Sequence, residues 1–266
     1  MRRAQCPSLR VQSELAFQFF MPIIDLQCHF GVRPSALSVR PPELAQAAAY
    51  AASVGAETLC FSSDEAVTDL DGGNARLASA LGSDARFRGW LTISVHQPDV
   101  SQALARQYLV RPQWVGARFD QVTEGDAVNA AGGHVVLNAL RRYGRPVMLT
   151  VNSPATLAAS IEAAREFHTL RFVLSPQNEE LTSDALPAIK EVLNISFLPS
   201  SAFAERDILA QAVATVGERR VLWGSDWGRV HPAAALGMVG DSALTGLQRD
   251  RVTLRNAREL LSGIAD

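Results

Sequence analysis

The chain has 266 residues and a net charge of -2, with 47% hydrophobic and 20% charged residues, enough for one large domain or two small ones. This balance excludes a basic nucleic-acid-binding face and an acidic disordered tail. No apolar run reaches the roughly 18 to 20 residues that a membrane span needs.

The three cysteines, Cys6, Cys28 and Cys60, lack paired spacing. They argue against a disulfide framework and for a reducing, cytoplasmic setting. Lys190 is the sole lysine, and with so much alanine the arginine excess reads as codon bias. Residues 1–21 start basic, but their apolar part is short and broken by Gln18. They read as a loose N-terminal extension, with Met21 a candidate natural start.

From residue 22 onward, short β-branched or aromatic runs alternate with alanine-rich stretches of helical period. The expected strands are 22–27, 57–62, 89–95, 114–119, 146–151, 171–175, 194–199 and 220–225. Pro41-Pro42 suits a first helical turn, and Ser153-Pro154 suits an N-cap followed by the first helical position. Gly55, Gly144 and Gly217 stand where helices should stop. Eight strands with interposed helices imply an α/β fold, a single (β/α)₈ TIM barrel over 22–266. The alternative is an open doubly wound sheet, but "FGVRP" after the first strand is no Gly-rich phosphate loop.

Reactive groups in a barrel belong at the carboxyl ends of the strands. In "IIDLQCHF" (23–30), strict alternation puts Asp25, Gln27 and His29 together on the inner face and turns Cys28 outward as a small apolar filler. The eighth run ends in "LWGSDWG", where Gly224 and Gly228 bracket a turn at Asp226. Asp226 either caps that turn or, facing His29 across the mouth, serves as a general base. Ser225 lacks the second glycine of a nucleophile elbow.

In "VGARF" (115–119), Arg118 shares a face with Gly116, and a buried guanidinium requires an anion. The anion is either a protein carboxylate, Asp226 or Asp25, or a substrate carboxylate. His96, after the third strand, and His231, five residues beyond Asp226, are the other histidines placed to line the mouth. His134 and His168 read as capping or surface residues. The polar, glycine-rich stretch 120–133 is a candidate lid.

The motifs "IIDLQCHFG", "RPVMLT", "LRFVLS", "RVLWGSDW" and "RNARELL" resemble, in this order, those of the amidohydrolase superfamily. They are most similar to the amidohydrolase-related branch that includes decarboxylases and 2-pyrone-4,6-dicarboxylate lactonase. The likeness runs from residue 22 to about 262.

The departures from that pattern carry the functional expectation. The family's first motif reads D-x-H-x-H, and here Gln27 replaces the first histidine. Thr150 stands where strand five typically ends in histidine, and Ser175 or Pro176 where strand six does. Of the five usual ligand positions, His29 and Asp226 remain. Zinc normally takes three protein ligands in a catalytic site, so no metal and no other cofactor is expected. A binuclear centre would need a strand-end lysine, and Lys190 lies in a helical stretch.

The resemblance implies a metal-independent hydrolase of a small carboxylated ester or lactone. In it Asp226 and His29 are catalytic, and Arg118, Gln27, Asp25, Thr150, His96 and His231 bind substrate. The alternative is a barrel that binds a small molecule without turnover. A mononuclear metalloenzyme using His29, Asp226 and one of Gln27, His96 or His231 is the third reading. The sequence sets no oligomeric state.

Overall fold

The computed structural model describes residues 22–32, 43–82, 84–200 and 207–262. Both the expected N-terminal extension and Pro41-Pro42 lie outside them. Seven parallel strands form one sheet in chain order: β1 (Ile23–Phe30), β2 (Ala56–Ser63), β3 (Phe87–Ile93), β4 (Trp114–Gln121), β5 (Val147–Val151), β6 (Phe172–Pro176) and β7 (Ile195–Phe197). Parallel neighbours need crossovers, which helices supply. These are α1 (Leu44–Val54), α2 (Leu70–Leu81), α3 (Pro98–Tyr108), α4 (Ala131–Leu140), α5 (Pro154–Glu166) and α6 (Glu179–Ile189). After β7 come α7 (Ile208–Val216), α8 (Pro232–Asp241), α9 (Gly246–Asp250) and α10 (Asn256–Leu261). The result is a TIM-like α/β fold.

Local chemistry explains several boundaries. Ser153 accepts a hydrogen bond from Thr156 N and Pro154 opens α5, as the sequence suggested. Asn178 caps α6 and Asp69 caps α2 in the same way. The sheet is sandwiched between two apolar layers. Its outer face packs on the helices through residues such as Leu59, Leu91, Leu149 and Leu174. Its inner face gathers Ile24, Leu26, Trp90, Met148 and Val173 over Leu254 and Leu260 from the chain's end. Truncating a wholly buried member such as Leu26 to alanine would cost about 2–5 kcal/mol.

The expected eighth strand is not a ladder. Residues 221–227 meet both sheet edges in isolated bridges rather than a continuous ladder, Phe197 with Val221 and Cys28 with Trp227. Leu222 N donates to Phe197 O at 2.8 Å, and His29 N donates to Trp227 O at 2.7 Å. Asp226 interrupts the extended path, because its φ is +53°. Among the described residues, no helix is long and apolar enough to cross a membrane.

Candidate active site

Strict alternation fails in β1, and the failure shapes the site. Three steps along β1, from Asp25 to Cys28, pair with two along β2, from Leu59 to Phe61. One extra residue in a strand shifts every following side chain to the opposite parity. Ile24 and Leu26 therefore share the inner layer, while Cys28 lies in the outer one. Trp90 fills the inner layer beside the bulge and donates its indole N–H to Leu26 O at 2.9 Å.

The expectation that Asp25 joins Gln27 and His29 on the inner face is thus corrected. Asp25 turns to the helix side, where it accepts from Tyr50 OH of α1 at 3.2 Å. It also accepts from Ser225 N at 2.9 Å, Ser225 Oγ at 2.5 Å and Gln27 N at 3.2 Å. Complete burial pushes its carboxyl above the ordinary range, against the opposing effect of these Ser225 and Gln27 bonds. Asp25 ties β1 to the Ser225-Asp226 turn.

Gln27 and His29 do meet Asp226, as expected. Gln27 Nε2 donates to Asp226 Oδ1 at 2.5 Å, and His29 Nε2 lies 3.2 Å from the same oxygen. Ser200 Oγ donates to Asp226 Oδ2 at 2.6 Å, and Ser175 Oγ donates to Gln27 Oε1 at 3.0 Å. Two glycines permit this approach. A Cβ on Gly224 would stand 2.6 Å from Gln27 Cβ, and one on Gly228 would stand 2.7 Å from His29 O. Between them Asp226 is 1% exposed and left-handed, a backbone state that costs a non-glycine residue about 1–2 kcal/mol. Such a backbone state persists only where the surrounding structure holds it.

The other ring nitrogen of His29 lies 3.1 Å from Asp64 Oδ1, beyond the end of β2. Arg229 clamps the same carboxylate, with Nη2 2.5 Å from Oδ1 and Nε 3.1 Å from Oδ2. Burial alone would raise the Asp64 pKa, but His29 and then Arg229 outweigh it and hold the group well below the usual carboxylate range. A neutral imidazole offers one donor and one acceptor, and here both nitrogens face carboxylates.

Arg118 and Thr150 form a second group. Arg118 Nη2 pairs with Asp120 Oδ2 at 3.2 Å, and Thr150 Oγ1 donates to Asp120 Oδ1 at 2.7 Å. Arg118 is 1% exposed, so the protein anion in this pair is a strand neighbour, Asp120. His96 and His231 stand apart from these clusters. His96 is exposed and pairs with Asp126 at 3.0 Å, while His231 Nδ1 accepts from Ala233 N at the start of α8. The candidate lid is a folded rim. Val128 is buried with its N–H on Gln121 Oε1, and α4 begins at Ala131.

Asp64, Asp120, Ser200 and Arg229 were not singled out from the sequence. The signal for Asp64 was present, since Cys60, Ser62 and Asp64 continue the period-two inner face past the strand end.

The metal implied by the family resemblance finds a poor donor set. Thr150 and Ser175, which stand where the resemblance implies histidines (for strand six, Ser175 or Pro176), each have their hydroxyl bonded within the protein. Both nitrogens of His29 and both oxygens of Asp226 are engaged. Among the described residues no three His, Cys, Asp or Glu side chains are grouped to hold an ion. The residues do not fit a divalent metal.

Solved structures share the fold at low identity. 5-Carboxyvanillate decarboxylase from Sphingomonas paucimobilis aligns with TM-score 0.72 at 13% identity, over 91% of this chain and 99% of its own. A dihydroxybenzoic acid decarboxylase from Polaromonas sp. JS666, with bound manganese and 2-nitroresorcinol, aligns with TM-score 0.70 at 14% identity, over 92% and 98%. Amidohydrolase 2 from Bifidobacterium longum subsp. infantis aligns with TM-score 0.66 at 18% identity, over 91% and 98%. No protein of curated function matches the sequence. The family model described as Amidohydrolase matches residues 24–262, and the chain belongs to that family.

Proposed function

We propose that the chain is a metal-independent hydrolase of a small carboxylated ester or lactone, with Asp226 as general base. One observation carries the reading: a buried, left-handed Asp226 whose Oδ1 faces His29 Nε2 at 3.2 Å at the strand ends. In this scheme water and substrate replace the direct His29–Asp226 contact, so that Asp226 takes a proton from the attacking water and His29 Nε2 meets the nascent oxyanion. The proton then returns through the His29–Asp226 line to the leaving alkoxide. Asp64 and Arg229 hold the imidazole in register. Arg118, at the next strand pair, is the cation for the substrate's carboxylate. The neighbours named as decarboxylases of aromatic acids support a carboxylated substrate.

A second reading is binding without turnover. It is favoured by the donors already in place on Asp226, namely Gln27, His29 and Ser200.

The test is a screen of carboxylated lactones and esters with protein purified and assayed in a chelator, alongside hydroxybenzoate decarboxylation. Hydrolysis that survives chelation supports the proposal. Activity that appears only on adding manganese or zinc contradicts it, and binding with no turnover supports the second reading.

A further inference from the structure

Gln27 stands where the resemblance implies a metal-ligating histidine, and here it is bonded by Ser175 of β6. That bond joins residues 148 apart in the chain, on two strands that are not neighbours in the sheet. Both are buried, Ser175 wholly and Gln27 at 1% exposed.

The protons of this bond have one consistent direction. An ionised Asp226 only accepts, so the Gln27 Nε2 that faces its Oδ1 at 2.5 Å donates. Gln27 Oε1 is then turned to Ser175 Oγ at 3.0 Å and takes the single hydroxyl proton. The lone pairs of that hydroxyl are met by Gln177 Nε2 at 3.1 Å. Gln177 is half-buried just past β6, with its backbone N on Val151 O at 2.9 Å. Two carbonyls, Ser175 O at 3.2 Å and Pro176 O at 3.4 Å, hold its Nε2 on this side. An amide nitrogen cannot accept, so Ser175 has nowhere to send its proton but Gln27.

We infer that Ser175 and Gln177 are positioning residues for the general base, forming a one-way donor chain from Gln177 through Ser175 to Gln27 that lands the Gln27 N–H on Asp226. A reversed Gln27 amide would set its oxygen against a carboxylate oxygen. Gln177, at the rim, thereby acts on the buried base through two intervening side chains. This deepens the hydrolase reading by assigning two residues to its base, and it rests on that reading only for the reaction.

The experiment has one arm that needs no substrate. Hydrogen exchange of the Gln27 side-chain amide is followed by NMR on the full chain, with the resonance assigned by its loss in Gln27→Leu. Ser175→Ala should speed that exchange about tenfold, the worth of one such bond. Gln177→Glu should do the same, because an ionised carboxylate at the rim competes for the Ser175 proton. Gln177→Met should do much less, since Ser175 then keeps its proton on Gln27. The second arm is turnover of a carboxylated lactone or ester, in which Ser175→Ala and Gln177→Glu should lower kcat about tenfold with KM near wild type. Unchanged exchange in Ser175→Ala, or equal exchange in Gln177→Glu and Gln177→Met, would overturn the chain. A rise in KM with kcat unchanged would overturn its role toward the base. Absence of any turnover would count against the hydrolase reading, while the exchange arm still decides the donor chain.

Discussion

His29 of β1 and Asp226 of the closing segment face each other at 3.2 Å, while the far nitrogen of the same ring faces Asp64 at 3.1 Å. One imidazole therefore spans two carboxylates that lie 162 residues apart in the chain, from position 64 to position 226. The consequences can be measured separately.

Asp64→Asn should expose the electrostatic contribution of the carboxylate that His29 and Arg229 face. The folded-state pKa of Asp64 is held below the ordinary aspartate value of about 3.9, so its stabilisation is present above that pH and lost as pH falls further. The variant should be less stable than wild type by about 3 kcal/mol at neutral pH, the scale of a buried pair losing one partner. The gap should close on acidification below that value. Denaturant unfolding across the acid range checks this, and a pH-independent gap would argue against an ionised Asp64 held by Arg229 and His29.

Arg118→Ala should leave Asp120 buried without the guanidinium that faces it at 3.2 Å. Loss of stability of about 3–5 kcal/mol is expected. If unfolding is unchanged and only KM for a carboxylated substrate rises, the guanidinium serves the substrate and not the fold.

Replacements at Asp226 should reveal the left-handed backbone. Asparagine tolerates that conformation, so Asp226→Asn should keep the fold. Asp226→Ala should be less stable than Asp226→Gly by about 1–2 kcal/mol, since only the alanine retains a Cβ penalty. Equal melting of the alanine and glycine variants would count against strain at this position.

Gly224→Ala should separate the closing segment from β1. The added Cβ would meet Gln27 Cβ at 2.6 Å and Gln27 N at 2.9 Å, and neither can retreat within the buried strand. A cost of about 1–3 kcal/mol is expected from overpacking. Unaltered stability would mean that this approach is looser than described.

Much of the fold was legible in the sequence because seven apolar runs between alanine-rich helices can only bury themselves as a parallel sheet. The eighth run, "RVLWGS", has the same composition, yet Gly224 and the left-handed Asp226 divert it from a ladder. Composition does not register that. Gln27, His29 and Asp226 were found together because each sits at a strand end. Asp25 was misplaced because alternation was assumed through a bulge that no residue type announces. Arg118's partner Asp120 was two residues away, within reach of the same period-two rule. His96 and His231 lie on the exposed rim, where a lone histidine finds a local partner, Asp126 or a helix start.

The most direct test of the central claim is the turnover of a carboxylated lactone by wild type and Asp226→Asn, both assayed in chelator. The account expects wild-type hydrolysis to persist and the variant to lose about 10² to 10⁴ in rate, with its melting temperature nearly unchanged. Full activity in Asp226→Asn, or wild-type activity abolished by the chelator, would contradict it.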